Sequence, residues 1–401
     1  MEQGNTNEIK KLSDMYLMNT YGERKLALVR GSGGRVWDAD GVEYVDFFCG
    51  IAVNNLGHCH PSVVRAIQHQ AETLIHVSNL YYIEPQARLA ALLAEHCFAK
   101  RWFFCNSGSE ANEAAIKLVR RYWSEKGERR PEIIAMDNSF HGRSIATVTA
   151  TGQPKHWRGF EPLAPGFRHA PFDDVATLER FVNDRTGGIM LEPIQGEGGV
   201  NVPSPSYLER VRALCNARKL LLIFDEIQTG LGRAGKLFAY EHFNVTPDII
   251  TVAKSLGGGV PIGAMGATDE VAQGFAPSSH ASTFGGNPLA TAAAEAYIRA
   301  LLEDGILERS NELADLFMSE LQTLAGRYPS ITGVRGKGLM IGVELDFAAQ
   351  EMVERFLEQR IIVGSAGQHV LRFYPALNVP EDDIRLVVST FDRLLKERQD
   401  G

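Results

Sequence analysis

Asp225 and Lys254, twenty-nine residues apart, carry the first chemical signal. Asp225 follows the apolar run Leu220-Leu221-Leu222-Ile223-Phe224. An acid delivered at the carboxyl end of a buried strand stands at the mouth of an open α/β sheet, where ligands bind. The same placement also suits a helix N-cap. Lys254 follows Ile249-Ile250-Thr251-Val252-Ala253 and precedes Ser255-Leu256-Gly257-Gly258-Gly259. Lysine is seldom buried without a partner, and glycines beside it permit close approach to a ligand, although a loop lysine reaching solvent has the same local pattern. A third element, Cys105-Asn106-Ser107-Gly108-Ser109-Glu110, runs from a strand end into a helix. Free N–H groups, the helix dipole and the hydroxyls of Ser107 and Ser109 would suit a phosphate there, as they would suit an ordinary capped helix start. An amine, an acid and a phosphate cup together are what an enzyme of pyridoxal 5'-phosphate requires.

These residues need a sheet to position them. From about Arg101 to Gly266, short β-branched or aromatic runs alternate with helical stretches, as in βαβ units. Strands are predicted at Trp102–Cys105, Ile133–Met136, Ile145–Thr149, Gly188–Leu191, Leu220–Phe224 and Ile249–Val252, and helices at Glu110–Lys126 and Pro205–Lys219. The fold class is α/β, a mostly parallel sheet covered by helices. Turn signals in residues 30–48 predict a small antiparallel meander. After Gly286-Asn287-Pro288, helices to about Glu303 and Tyr328 and strands at Met340–Leu345 and Val370–Tyr374 predict a smaller α+β lobe. The expected division is 58–289 as a large cofactor-binding domain and 290–401 as a small domain with which 1–57 packs.

The motifs in their order resemble the class III aminotransferases of fold type I, and most nearly the acetylornithine branch. They are Gly50-Ile51-Ala52-Val53-Asn54-Asn55-Leu56-Gly57-His58, Phe140-His141-Gly142-Arg143, Glu192-Pro193-Ile194-Gln195-Gly196-Glu197-Gly198-Gly199, Phe224-Asp225-Glu226-Ile227-Gln228, Ala253-Lys254-Ser255, Ser282-Thr283-Phe284-Gly285-Gly286-Asn287-Pro288 and Leu371-Arg372-Phe373. The resemblance implies that Lys254 is the Schiff-base lysine and acid–base group, and that Asp225 partners the pyridinium nitrogen. It implies Gln228 near the phenolic oxygen, Ser107, Gly108 and Ser109 at the phosphate, Phe140 on the ring, and Thr283 on the phosphate bound by a neighbouring subunit, so that a homodimer completes the site. For substrates it implies Arg143 as a remote carboxylate anchor, assisted by Ser282, and Arg372 as the anchor for the α-carboxylate of glutamate, with Glu197 covering it in turn. The implied reaction moves the terminal amine of N2-acetyl-L-ornithine to 2-oxoglutarate, giving N-acetyl-L-glutamate 5-semialdehyde and L-glutamate, a step of L-arginine biosynthesis. Succinyl-diaminopimelate, ornithine and 4-aminobutyrate are alternative donors, and Ile51 stands where ornithine enzymes carry a tyrosine. Two departures are Ala281, usually glycine, and Ser109, often alanine.

Composition excludes several other classes. The 401 residues include 41 Lys plus Arg against 49 Asp plus Glu, a net charge of -8, so nucleic acid and anionic membranes are not expected partners. No apolar run reaches the ~20 residues that span a bilayer. Five scattered cysteines fit reduced thiols and the cytoplasm better than disulfides or zinc. The polar Met1–Lys11 segment resembles neither a secretory signal nor a transit peptide, so the mature chain is expected to start near Met1. Gly230-Leu231-Gly232-Arg233-Ala234-Gly235 satisfies G-x-G-x-x-G and makes a nicotinamide-dependent oxidoreductase the rival enzyme, but Asp225–Thr229 separate it from the strand end. Gly57-His58-Cys59-His60 reads as a structural turn, and no metal is expected. A binding protein that had lost the chemistry would most simply lack Lys254 or Asp225, and both are present.

Overall fold

The computed structural model describes residues 5–400. Of the Met1–Lys11 segment, residues 1–4 lie outside the described part, as does residue 401 at the end of the expected small domain. Three sheets organise the described residues. The central one has seven strands, in the order Arg101–Cys105, Gly263–Ala267, Ile249–Val252, Leu221–Asp225, Thr186–Leu191, Glu132–Met136 and Phe167–Ala170. All run parallel except Gly263–Ala267, which is antiparallel to both neighbours.

Burial explains the central strands. Every residue of Thr186–Leu191, Leu221–Asp225 and Ile249–Val252 is buried, as expected of parallel strands covered on both faces. The helix Gly108–Glu125 covers one face with Ala111, Ala115, Leu118, Val119 and Tyr122, spaced three and four residues apart. Each large side chain so buried stabilises the fold by about 1.5–3 kcal/mol.

Residues Ile145–Ala150 form a helix, not the predicted strand. The β-branched run Ile-Ala-Thr-Val-Thr suggests a strand, but Thr149 Oγ1 donates back to the Ile145 carbonyl (2.7 Å) and Thr151 Oγ1 to that of Thr147 (3.0 Å), satisfying these hydroxyls within a helical turn. Two strands carried no strong signal. Gly263–Ala267 reads Gly-Ala-Met-Gly-Ala, poor in β-formers, yet a Cβ on Gly266 would meet Ala99 and Trp102 at 2.8 Å, so small residues are what let it pack. Phe167–Ala170 is a four-residue edge strand.

At the N-terminal side, Leu28–Ser32, Arg35–Asp38 and Glu43–Asp46 form the expected antiparallel meander. Ile361–Ile362 adds to it in parallel, pairing with Val45 and Asp46. The third sheet orders Ile331–Lys337, Met340–Leu345, Val370–Phe373 and Gly364–Ala366. Helices Pro288–Glu303 and Ile306–Arg327 precede it, the first capped by Asn287, whose side chain accepts from Ala290 N–H. No helix among the described residues is long and apolar enough to cross a membrane.

Arg233 joins distant parts of the chain. It is fully buried, bonds to Asn55 Oδ1 through both Nε and Nη2, and donates through Nη1 to the carbonyls of Leu339 (3.0 Å) and Pro375 (2.8 Å). The G-x-G-x-x-G string around it is therefore a buried turn, and only a short 3-10 segment, Ala239–His242, follows it. A dinucleotide fingerprint needs a helix there. Arg233→Met would leave three buried acceptors without donors and is expected to cost about 3 kcal/mol or more, read as a lowered urea midpoint.

Candidate active site

A cavity of about 390 Å³ is lined by Ser107, Gly108 and Ser109 at one helix start, by Phe140 and Arg143, by Glu192 and Glu197, and by Asp225, Ile227, Gln228 and Lys254. Strand register brings the acids together. Leu191 pairs with Phe224, so Glu192 and Asp225 leave the sheet side by side at its carboxyl edge.

Asp225 is buried and held by three groups. Asn112 Nδ2 donates to Oδ2 (2.7 Å), His141 Nδ1 faces the same oxygen at 2.7 Å, and Ile227 N–H donates to Oδ1 (3.0 Å). Asn112 is itself fixed by Thr251 Oγ1, which donates to its Oδ1 (2.7 Å). Lys254 follows the strand Ile249–Val252, has a positive φ of 44°, and makes no hydrogen bond or ion pair with another side chain among the described residues. Burial is the main influence on its amine, which is held below the ordinary lysine value; Arg372 acts in the same direction, and Glu197, Asp225 and Glu192 oppose it.

The helix start is an anion cradle. Ser107 is the N-cap, its hydroxyl accepting from Glu110 N–H (3.2 Å), while Glu110 accepts from Asn106 N–H (2.7 Å). The N–H groups of Gly108 and Ser109 lie in the first turn, without intrahelical acceptors. The Ser109 hydroxyl bonds to Ser144 Oγ (3.0 Å) and Thr147 Oγ1 (2.8 Å), and its backbone N–H lies in the first turn of the helix.

Arg372 is 3% exposed and paired with Glu197, Nη1 to Oε1 at 2.6 Å and Nη2 to Oε2 at 3.2 Å. Its guanidinium lies 5.3 Å from the ring centres of both Phe48 and Tyr374. Burial pushes the Glu197 carboxyl up, but Arg372 outweighs it and leaves the group below its ordinary value. Gln228 Nε2 donates to Glu197 Oε1 (3.3 Å), and Tyr374 donates to Gln228 Oε1 (3.1 Å). Arg143 is exposed and makes no ion pair among the described residues; its guanidinium stands 5.5 Å from the Phe140 ring centre.

Phe48 reaches Arg372 through a strained turn. Cys49, Gly50, Ile51 and Ala52 have φ of 49°, 64°, 66° and 60°, a left-handed turn costing about 1–2 kcal/mol for each non-glycine residue. Asp46 holds it, accepting from Phe48 N–H (2.9 Å) and Cys49 N–H (2.8 Å) while its other oxygen meets His58 Nε2 at 2.8 Å. The Gly57–His60 string is thus a turn in which His58 braces Asp46, and no cluster of three or more metal-binding side chains occurs among the described residues.

Ser282 and Thr283 do not join the other site residues. They line a separate cavity with Leu80 and Trp102, and Ser282 Oγ accepts from Gly285 N–H (3.0 Å) and Asn106 Nδ2 (3.3 Å). Ala281 is not among the residues with positive φ, so its position makes no conformational demand for glycine. Sequence reasoning assigned no role to Glu192, Asn112, His141 or Tyr374. Glu192 carried a readable signal, since it too follows an apolar strand; Asn112 is marked by contacts alone.

Every part of pyridoxal phosphate finds a complement here: N–H groups for the phosphate, Phe140 and Ile227 for the ring, a buried acid for the ring nitrogen and an amine without a partner for the aldehyde. Small residues preserve the cradle, for a Cβ on Gly108 would come 2.7 Å from Ile227 Cδ1. An α/β sheet with this constellation at its carboxyl edge defines a pyridoxal phosphate-dependent transferase. The family described as aminotransferase class-III matches residues 17–395, and the chain belongs to that family, whose cofactor is pyridoxal phosphate. The acetylornithine aminotransferase of Caldanaerobacter subterraneus subsp. tengcongensis is 50% identical over 95% of this chain and 98% of its own. That of Methanocaldococcus jannaschii is 46% identical over 99% of both. Among solved structures, the ornithine aminotransferase of Toxoplasma gondii superposes with a TM-score of 0.94 at 34% identity, covering 98% of this chain and 96% of that one. The N-acetylornithine aminotransferase of Stenotrophomonas maltophilia gives 0.84 at 37%, covering 97% and 99%.

A Cβ on Gly263 would overlap the Ser107 carbonyl oxygen, a backbone atom beside the cradle. Gly263→Ala is therefore expected to weaken pyridoxal phosphate binding about tenfold through displaced N–H donors, measured as its dissociation constant.

Proposed function

We propose that this aminotransferase takes the terminal amine of N2-acetyl-L-ornithine and passes it to 2-oxoglutarate, giving N-acetyl-L-glutamate 5-semialdehyde and L-glutamate in L-arginine biosynthesis. The observation that carries this reading is the pair of unequal arginines, Arg143 open and Arg372 covered by Glu197. Acetylornithine presents its amine far from its carboxylate and needs one remote anchor. Glutamate presents its amine beside one carboxylate and needs a second anchor close by. Arg143 serves as the remote anchor for both, and Arg372 takes the α-carboxylate of glutamate in a bidentate pairing that guanidinium suits. While acetylornithine is bound, Glu197 keeps Arg372 from standing as a buried charge without a partner.

The other side chains follow from the same reading. Pyridoxal phosphate, when bound, supplies an electron sink that makes the hydrogen on the amine-bearing carbon acidic. Gly108 and Ser109 would hold its phosphate through N–H groups, Ser107 fixes that helix start, and Phe140 would pack against its ring. Asp225, oriented by Asn112 and His141, would hold a proton on the ring nitrogen, and Gln228 would orient the phenolic oxygen. Lys254 Nζ, its proton affinity reduced by burial, would take the proton from the amine-bearing carbon and deliver it to C4′, the carbon of the cofactor's aldehyde, so that the amine stays behind when the product leaves.

The reading also carries a homodimer in the cytoplasm, with lobes at 58–289 and at 1–57 plus 290–401. The parallel pairing of Ile361–Ile362 with Glu43–Asp46, and the bidentate bond of Arg35 to Asp383 (2.6 and 2.7 Å), support the packing of the chain's two ends. Leu80 (85% exposed) and Phe284 (60%) are large apolar side chains on the segments that border Thr283, which supports burial of that surface by a second copy. Thr283 would then meet the partner's phosphate, while Ser282 belongs to the loop that presents it.

Single-turnover rates test the anchors. Arg372→Ala should slow the glutamate half-reaction about tenfold to a hundredfold and spare the acetylornithine half, whereas Arg143→Ala should slow both. Equal losses in both halves for Arg372→Ala would refute the switch. Comparing kcat/KM for acetylornithine, succinyl-diaminopimelate, ornithine and 4-aminobutyrate tests the donor, with acetylornithine expected highest. Thr283→Ala should weaken cofactor retention in the dimer and leave the subunit association unchanged, measured by dialysis and sedimentation.

A further inference from the structure

Glu192 is a buried acid on the cavity wall that the roles above do not use. It is 5% exposed and stands beside Asp225 at the sheet edge. Its two oxygens hold different segments: Oε2 accepts from the Phe140 N–H (3.0 Å), and Oε1 accepts from the Gly196 N–H (3.1 Å). Phe140 and Arg143 share one loop. Gly196 begins the turn whose next residue, Glu197, covers Arg372. One carboxylate therefore ties the loop of the open arginine to the turn that shields the buried one.

The tie depends on two acceptor oxygens. A carboxylate accepts on both sides, whereas a carboxamide accepts on one and presents N–H on the other. The environment constrains Glu192 as well: burial pushes its carboxyl up to about 7, with Asp225 acting in the same direction, while His141 and the two N–H donors oppose them. Lys254 also feels its charge. The surrounding turn is tight, for a Cβ on Gly196 would overlap Gln228 Oε1, and one on Gly198 would come 2.6 Å from the Asn138 carbonyl oxygen. Gln195 Nε2 donates to the Asp137 carbonyl (2.8 Å), a second bond between the chain just before Phe140 and that just before Gly196.

We infer that Glu192 is a positioning residue that couples the Phe140–Arg143 loop to the Glu197 turn, so that the seat of the remote anchor and the cover over Arg372 are set together. Glu192 acts through the two N–H groups that it holds. When one is released, Glu197 is less firmly placed, and the site loses part of its distinction between a substrate with an α-carboxylate beside its amine and one without.

The test uses Glu192→Gln in the holoenzyme. Hydrogen–deuterium exchange at the Phe140 and Gly196 amides should accelerate about tenfold at one of the two, with the Ile227 amide, held by Asp225, as the unchanged reference. Unaltered exchange at both amides would overturn the tie. In half-reaction kinetics, KM for glutamate should move at least about threefold relative to KM for acetylornithine. Equal movement of both would overturn the coupling to Arg372. Should the glutamine variant fail to fold, Glu192→Asp keeps the charge but shortens the reach, and exchange at the same amides decides. The kinetic arm rests on the proposed transamination, and the exchange arm does not: absence of acetylornithine turnover in the unaltered enzyme would refute that reaction and leave the exchange result standing.

Discussion

A carboxylate buried at the edge of a sheet must be given donors, and much of this molecule supplies them to Asp225. The helix Gly108–Glu125 contributes Asn112 on its buried side, and the loop after Met136 contributes His141. Thr251, on the strand next to that of Asp225, fixes Asn112 in turn. Helix, loop and two strands are thus joined through one acid. The same joining sets the position of the anion cradle, because the helix that brings Asn112 to Asp225 begins at Gly108. Distance from cradle to acid is fixed by the first turn of one helix.

Charge balance around Lys254 imposes the second constraint. Glu192, Glu197 and Asp225 all act on its amine, and Arg372 opposes them. A desolvated amine among acids alone would be held protonated, and one beside arginine alone would lose its proton too readily to keep one when needed. Pairing Arg372 with Glu197 removes the extremes, and pairing Asp225 with His141 gives that acid a local partner. Gln228 reaches Glu197, and Tyr374 reaches Gln228, so the polar groups near Arg372 form a connected chain.

Much of this was legible in the sequence because burial and chemistry coincide there. The runs ending in Phe224 and Val252 are apolar throughout, so their strands, and the placement of Asp225 and Lys254, could be read from residue types. The resemblance supplied the expectation that Glu197 pairs with Arg372, and the two side chains do meet. Ile145–Ala150 is a helix despite its strand-like composition because threonine hydroxyls can satisfy themselves within a helix, which a strand propensity does not register. Gly263–Ala267 is silent in its residue types, since its reason for being a strand lies in neighbours that leave no room for side chains. Asn112 and Arg233 were silent for a further reason. Their partners lie up to 178 residues away, and no local pattern reports such contacts.

Arg233 also fixes an order of events during synthesis. Its first partner, Asn55, precedes it in the chain, but the carbonyls of Leu339 and Pro375 follow by more than a hundred residues. A ribosome that has delivered the whole central sheet still holds back half of the seat for this guanidinium. Until Pro375 emerges, the cation keeps its water, and the layer that will cover it cannot close. A segment more than a hundred residues downstream thus completes the seat of Arg233, and a chain that stopped before Pro375 would carry a hydrated charge where its interior should be.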